Sequence, residues 1–198
     1  MRKIEREYEN PFDNFHIDCA DTFCPAFHEC GFTPNTLTTF SLIFGLMSLY
    51  FLWHKNMIWF AVCFWISYVF DCADGHYARK YGMVSEFGDL YDHIKDVLVN
   101  VGVFAILFYR YSMTIETKVK VGVGMFTLFI LMTAHLGCQE KIYSEQKKKE
   151  SATLNFSQSL CVGNPRETIR FMRVFGCGTF IFMVIFIVIW VNWKSNRV

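Results

Sequence analysis

Residues 57–109 read MIWFAVCFWISYVFDCADGHYARKYGMVSEFGDLYDHIKDVLVNVGVFAILFY. An apolar run ends at Phe70, a short charged interval follows, and a second apolar run closes by Tyr109. Two such runs joined by a brief polar stretch describe a helical hairpin, and its apolar arms call for a lipid solvent. The interval holds Asp71, Asp74, Asp92 and Asp96. A carboxylate at the edge of a membrane is costly, so something must offset the cost.

The rest of the chain repeats the pattern. A helix rises about 1.5 Å per residue, so roughly 20 residues cross a hydrocarbon core of about 30 Å. Residues 37–53, 57–70 (continuing as helix through Arg79), 89–109, 119–136 and 171–191 qualify. Pro34 is suited to a helix start, where its missing N–H has no partner to lose, and Asn35 or Thr36 is expected to cap that helix. Trp190 and Trp193 suit a membrane interface at the far end. Apolar residues make up 53% of the 198, above the range of soluble domains, and the length fits one domain. The expected fold is an all-α integral-membrane bundle of five to six transmembrane helices.

Residues 1–18, MRKIEREYENPFDNFHID, lack the apolar core of a secretory signal peptide, so the first apolar run is expected to direct membrane insertion. The division is 1–33 as a cytosolic juxtamembrane segment, 34–193 as the membrane domain with a polar segment at 139–167, and 194–198 as a tail. Counting Lys and Arg by alternate loops gives twelve on the N-terminal side against six on the other, with Lys95 inside a helix left uncounted. That asymmetry orients the N-terminus and the aspartates to the cytosol. A net charge of +1 without a basic stripe argues against a nucleic-acid partner.

Cys63, Cys72, Cys138 and Cys177 lie in or beside apolar runs, where a free thiol behaves as a small hydrophobe. Cys19, Cys24 and Cys30, with His16 and His28, lack the paired spacing of a structural zinc site and read as reduced thiols. His135 reads as a buried polar contact and Ser85 and Glu86 as solvated loop residues.

Asp71, Asp74 and Ala78 share one helix face, as do Gly88, Asp92 and Asp96. If the two helices pack antiparallel, all four carboxylates converge. Like charges that close require a counter-charge, and hard oxygen ligands select Mg²⁺, Mn²⁺ or Ca²⁺. Four carboxylates suit two ions, an arrangement that clamps phosphoryl groups. Arg79 offers a fork of donors for phosphate oxygens, and Gly75, Ala78 and Gly88 give clearance for a diphosphate. Asp96 is a candidate base for an acceptor hydroxyl. Asn100, one turn further on, is a candidate contact of the site, and His93 a candidate partner for a carboxylate.

The pattern D71-x2-D74-G75-x2-A78-R79-x8-G88-x3-D92-x3-D96 resembles, at every fixed position, the signature of the CDP-alcohol phosphatidyltransferase family. TPNTLT at residues 33–38 and Gly45 are similar to that family's first helix, and YENPFDN at 8–14 is compatible. The resemblance implies a membrane enzyme of phospholipid synthesis that releases CMP from a CDP-linked substrate. It implies metal-binding roles for Asp71, Asp74, Asp92 and Asp96, with Asp96 also the general base, and cytidine-diphosphate contacts at Gly75, Ala78, Arg79 and Gly88. It further implies Mg²⁺ or Mn²⁺ as cofactor, a lipid bilayer around the protein and a homodimer. Family members commonly have six spans, and residues 150–164 are the candidate for a sixth. The acceptor stays open: DGH and ARKYGMVSEFG resemble phosphatidylinositol synthases, although Val97 stands where those carry arginine. YDHIKD resembles choline and ethanolamine phosphotransferases. The alternative from the residues alone is a transporter or ion-pathway protein using intramembrane aspartates.

Overall fold

The computed structural model describes residues 2–147 and 155–196. The first helix, α1 (Pro11–Glu29), begins where the Asn10 side chain accepts from the backbone N–H of Phe12 and Asp13. It is followed by α2 (Pro34–Trp53), α3 (Met57–Lys80), α4 (Glu86–Arg110) and α5 (Ile115–Lys147). Two short helices, α6 (Asn155–Ser159) and α7 (Pro165–Met172), and a 3₁₀ turn lead into α8 (Cys177–Ser195). The described residues contain no strand.

The cap of α2 is Thr33, not Asn35 or Thr36. Pro34 takes the first helical position, which puts the cap one residue earlier. Thr33 and Thr36 then form a reciprocal capping box. Ser85 is likewise not a solvated loop residue: its side chain accepts from Gly88 N at 3.0 Å and starts α4, with Glu86 the first residue of that helix.

α2, α3, α5 and the α7–α8 region are long and apolar enough to cross a membrane. The 25-residue α4 has the length but carries Lys95, Asp96 and Arg110 along it. The bundle is apolar outside and partly polar inside. Ile43, Leu46, Val97, Val101, Phe104, Phe126 and Phe186 are exposed, whereas Thr38, Ser41, Ser48 and Ser67 are buried. Water would penalise that inversion, and lipid favours it.

Small residues set the closest approaches. Ser41 and Ser67 exchange hydroxyl-to-carbonyl bonds of 2.8 Å between α2 and α3. A Cβ on Gly45 would sit 2.6 Å from Val99 Cγ2 and 3.2 Å from Ser67 Oγ, so this glycine lets α2 lie against both α3 and α4. Below that contact, Leu52, Phe60, Phe64, Val103, Leu107, Val184 and Val188 form the main core.

Three other expectations change. The fourth span does not stop at residue 136. α5 continues for 33 residues, about 50 Å, so its last third projects beyond a bilayer's thickness. The run 171–191 is not one helix but breaks at Gly176, where a Cβ would lie 2.6 Å from Asn10 Cβ and 3.0 Å from His135 Nδ1. The N-terminal segment crosses there, which forces the break. Residues 150–154 of the candidate sixth span, and Lys148 and Lys149, lie outside the described residues. The five-residue α6 is too short to span.

Cys138 is not a free thiol but is disulfide-bonded to Cys161, tying the projecting end of α5 to the segment after α6. Sequence spacing could not pair them, because the pairing depends on α5 running past residue 136. Cys19, Cys24, Cys30, Cys63, Cys72 and Cys177 are free.

α1 lies across the ends of α3 and α8. Asp13 accepts from Tyr68 Oη and from Gly178 N, the latter at 2.7 Å. Asn10 Nδ2 donates to Thr179 Oγ1 at 2.9 Å, and Trp65 Nε1 donates to His16 Nε2 at 3.0 Å. Asp21 receives Lys80 Nζ at 2.7 Å and His76 Nε2 at 2.8 Å. The Lys80 hydrogen bond, then that of His76, draws the Asp21 carboxyl down to about 2.

Candidate active site

α3 ends and α4 begins on the same side of the bundle, joined only by residues 81–85. Because α3 stays helical through Lys80, Asp71, Asp74, Gly75, Ala78 and Arg79 descend one rigid wall. Gly88, Asp92 and Asp96 rise on α4 opposite them. All eight residues line a single cavity of about 300 Å³. That is the lower end of the size of small-molecule sites.

Carboxylate oxygens of Asp71, Asp74 and Asp92 lie within 4.8 Å of one another. Asp74 is buried, and its Oδ2 accepts from Thr38 Oγ1 of α2 at 2.6 Å. Asp96 sits slightly apart, with its side chain half exposed. Three converging hard oxygen donors suit a divalent ion such as Mg²⁺ or Mn²⁺, and two of the three stay half-buried, within reach of the cavity.

The clearance at the glycines has local causes. A Cβ on Gly75 would meet Arg79 Nη1 at 3.2 Å, so the missing side chain makes room for the guanidinium of Arg79 itself. On Gly88 it would meet Ser85 Oγ at 3.0 Å and Asn35 Oδ1 at 3.1 Å. There the glycine protects the cap of α4 and the start of α2.

Sequence reading missed Lys95. Its side chain is 2% exposed, and Nζ pairs with Asp71 Oδ1, with Asp92 Oδ1 at 2.9 Å and with Asp96 Oδ1 at 2.9 Å. It also approaches Ser41 Oγ at 3.3 Å. The signal was available: a lysine on an otherwise apolar helix implies a buried partner. The far wall of the cavity was missed as well. Lys3, Leu136, Glu140 and Tyr143 close it, with Lys3 Nζ bonded to Glu140 Oε2 at 2.6 Å. No local pattern points to these, since they arrive through the extension of α5.

Other candidates have plainer places. His93 Nδ1 lies 2.6 Å from the Asp89 carbonyl and so does not orient Asp92, although the ring lines the cavity rim. Asn100 Nδ2 donates to the Asp96 carbonyl at 2.9 Å, and the residue lines a small void with Asp71, Lys95 and Asp96. His135 is buried and touches the Tyr8 carbonyl at 3.3 Å. Lys141 Nζ donates to the Cys161 carbonyl at 2.6 Å.

Fold and site together define an all-helical membrane protein with an acidic cavity between two helix ends, an arginine beside it and room for a diphosphate. Residues 32–197 match the model of the CDP-alcohol phosphatidyltransferase family, and the chain belongs to that family. It is thereby a CDP-alcohol phosphotransferase of phospholipid synthesis, and the family uses divalent metals. No curated protein and no solved structure matches the chain significantly.

Proposed function

We propose that the cavity binds a CDP-linked donor, either CDP-diacylglycerol or a CDP-amino alcohol, and transfers its substituted phosphate to an alcohol with release of CMP. The observation that supports this best is the meeting of all eight signature residues around one cavity.

In this reading Asp71, Asp74, Asp92 and Asp96 are the metal-binding carboxylates, and Mg²⁺ or Mn²⁺ is the cofactor. When bound, the cation would neutralise charge on the diphosphate and on the departing CMP. Arg79 contributes fixed positive charge against the phosphate oxygens. Gly75 and Ala78 keep the α3 wall low, and Gly88 does the same on α4, so the diphosphate can pass between them. The acceptor oxygen bonds to the phosphorus distal to cytidine while the bond from that phosphorus to the CMP oxygen breaks. CMP leaves with the electron pair, and the hydroxyl proton passes to the Asp96 carboxylate. A side chain half open to the cavity suits that task.

A site at the membrane edge can receive one substrate from lipid and the other from water. We assign the cavity to the cytosolic face from the lysine and arginine asymmetry. The test uses membranes containing the protein, given CDP-diacylglycerol with inositol, serine or glycerol phosphate, or CDP-choline or CDP-ethanolamine with diacylglycerol. One pairing should release CMP, and chelating divalent ions should stop it. Absence of CMP in every pairing, with Mg²⁺ and with Mn²⁺, would overturn the assignment.

A further inference from the structure

Four carboxylates surround the cavity floor, yet one cation is already built into the chain. Lys95 Nζ stands among Asp71, Asp92 and Asp96, with Ser41 Oγ beside it. We propose that Lys95 takes the place of one of two divalent ions, so that the protein binds a single Mg²⁺ or Mn²⁺ at Asp71, Asp74 and Asp92 while Lys95 holds Asp96 in register. The inference rests on the transferase reading and narrows the expected pair of ions to one.

The argument is one of shared space. An ion bridging Asp96 to Asp71 and Asp92 must sit where their oxygens meet. Ammonium–carboxylate contacts are about 2.7–2.9 Å, while Mg–O bonds are about 2.0–2.1 Å. One set of oxygens cannot enclose both. The two cations would also repel strongly in a site this sheltered from water.

Lys95 has no easy exit. Its side chain is 2% exposed, and its stem runs between α2 and α4 towards Ser41. Withdrawing it would leave three carboxylates without their shared partner. Asp74 lies outside this arrangement: its Oδ2 accepts from Thr38 rather than from Lys95. Each carboxylate has two oxygens, so Asp71 and Asp92 can serve Lys95 with one and a metal with the other. Asp96 is the member left without a metal, which suits a group that must take a proton.

The experiment is Mn²⁺ binding to the purified full chain in detergent, read by titration calorimetry and by the loss of the free-ion EPR signal. Wild type should bind one Mn²⁺ per chain. Lys95→Met removes the ammonium and keeps much of the stem volume, and it should bind two. Lys95→Gln, a milder change with its own hydrogen-bond donors, serves if the first variant does not fold. Two ions on the wild-type chain, or a count still at one in a folded Lys95 variant, would overturn the inference and leave the transferase reading intact. No Mn²⁺ on the wild type, together with no CMP release, would remove both.

Discussion

Replacing Asp13 by asparagine should remove a loss of stability that the native protein suffers between about pH 4 and pH 7. Asp13 is 6% exposed in the first turn of α1, where α1 meets α3 and α8. Burial raises its carboxyl from 3.8 to about 7, and the nearby Glu9 carboxylate adds to the rise. The bonds from Tyr68 and Gly178 pull the other way without cancelling it. In the unfolded chain the group gives up its proton near pH 4, whereas the native chain keeps it until about pH 7. The native state is therefore progressively disfavoured as pH rises through that window, then levels off above it. A shift from 3.8 to about 7 corresponds to a ceiling of about 4 kcal/mol. At roughly 2–4 °C per kcal/mol for a chain this size, the melting temperature should change by about 10 °C. Asparagine keeps an oxygen for both donors and has no charge to bury. Thermal unfolding in detergent at pH 5, 6, 7 and 8 should show the variant melting increasingly above wild type as pH rises. His16, whose pKa burial lowers, titrates in both proteins, so the difference between them isolates Asp13. Parallel curves for the two proteins would refute the reasoning.

Asp96→Asn should abolish CMP release while leaving Mn²⁺ binding near the wild-type level; retained turnover would remove Asp96 as the base. Thr38→Val deletes the hydroxyl that fixes Asp74 Oδ2 and should weaken Mn²⁺ binding about 10-fold, as titration calorimetry can measure. Gly45→Val forces side-chain atoms into Val99 and Ser67 and should lower stability by about 1–3 kcal/mol, seen as a lower melting temperature. The Cys138–Cys161 bond closes a short loop, so reducing it should cost about 3 kcal/mol. Thiol labelling in intact cells bears on the membrane side as well, because disulfides persist in oxidising compartments and the cytosol keeps thiols reduced.

The extent of what the sequence could disclose follows from the range of the forces involved. Asp71 and Asp74 share a face because they are three residues apart on a helix, and Asp92 and Asp96 because they are four apart. The short connection at 81–85 leaves the two helices no partner for those faces but each other. Local periodicity and a short loop thus bring the carboxylates together before any packing is known. The apolar runs fix the solvent in the same local way.

Tertiary structure decided the rest, and the reason in each case is contact between segments remote in the chain. Lys95 belongs to the site because Asp71 on α3 faces it, a relation that helical spacing on α4 alone does not contain. Residues 139–147 look like a polar loop by composition. They stay helical where α5 packs against α6 and α7, and this brings Glu140 and Tyr143 to the cavity. Gly176 interrupts an apolar run because Asn10 and His135 fill the space a side chain would need. The sequence by itself determined which residues could form an acidic diphosphate site. Only the packed structure decided which cation stands inside it, because that depends on where helices distant in sequence put their side chains.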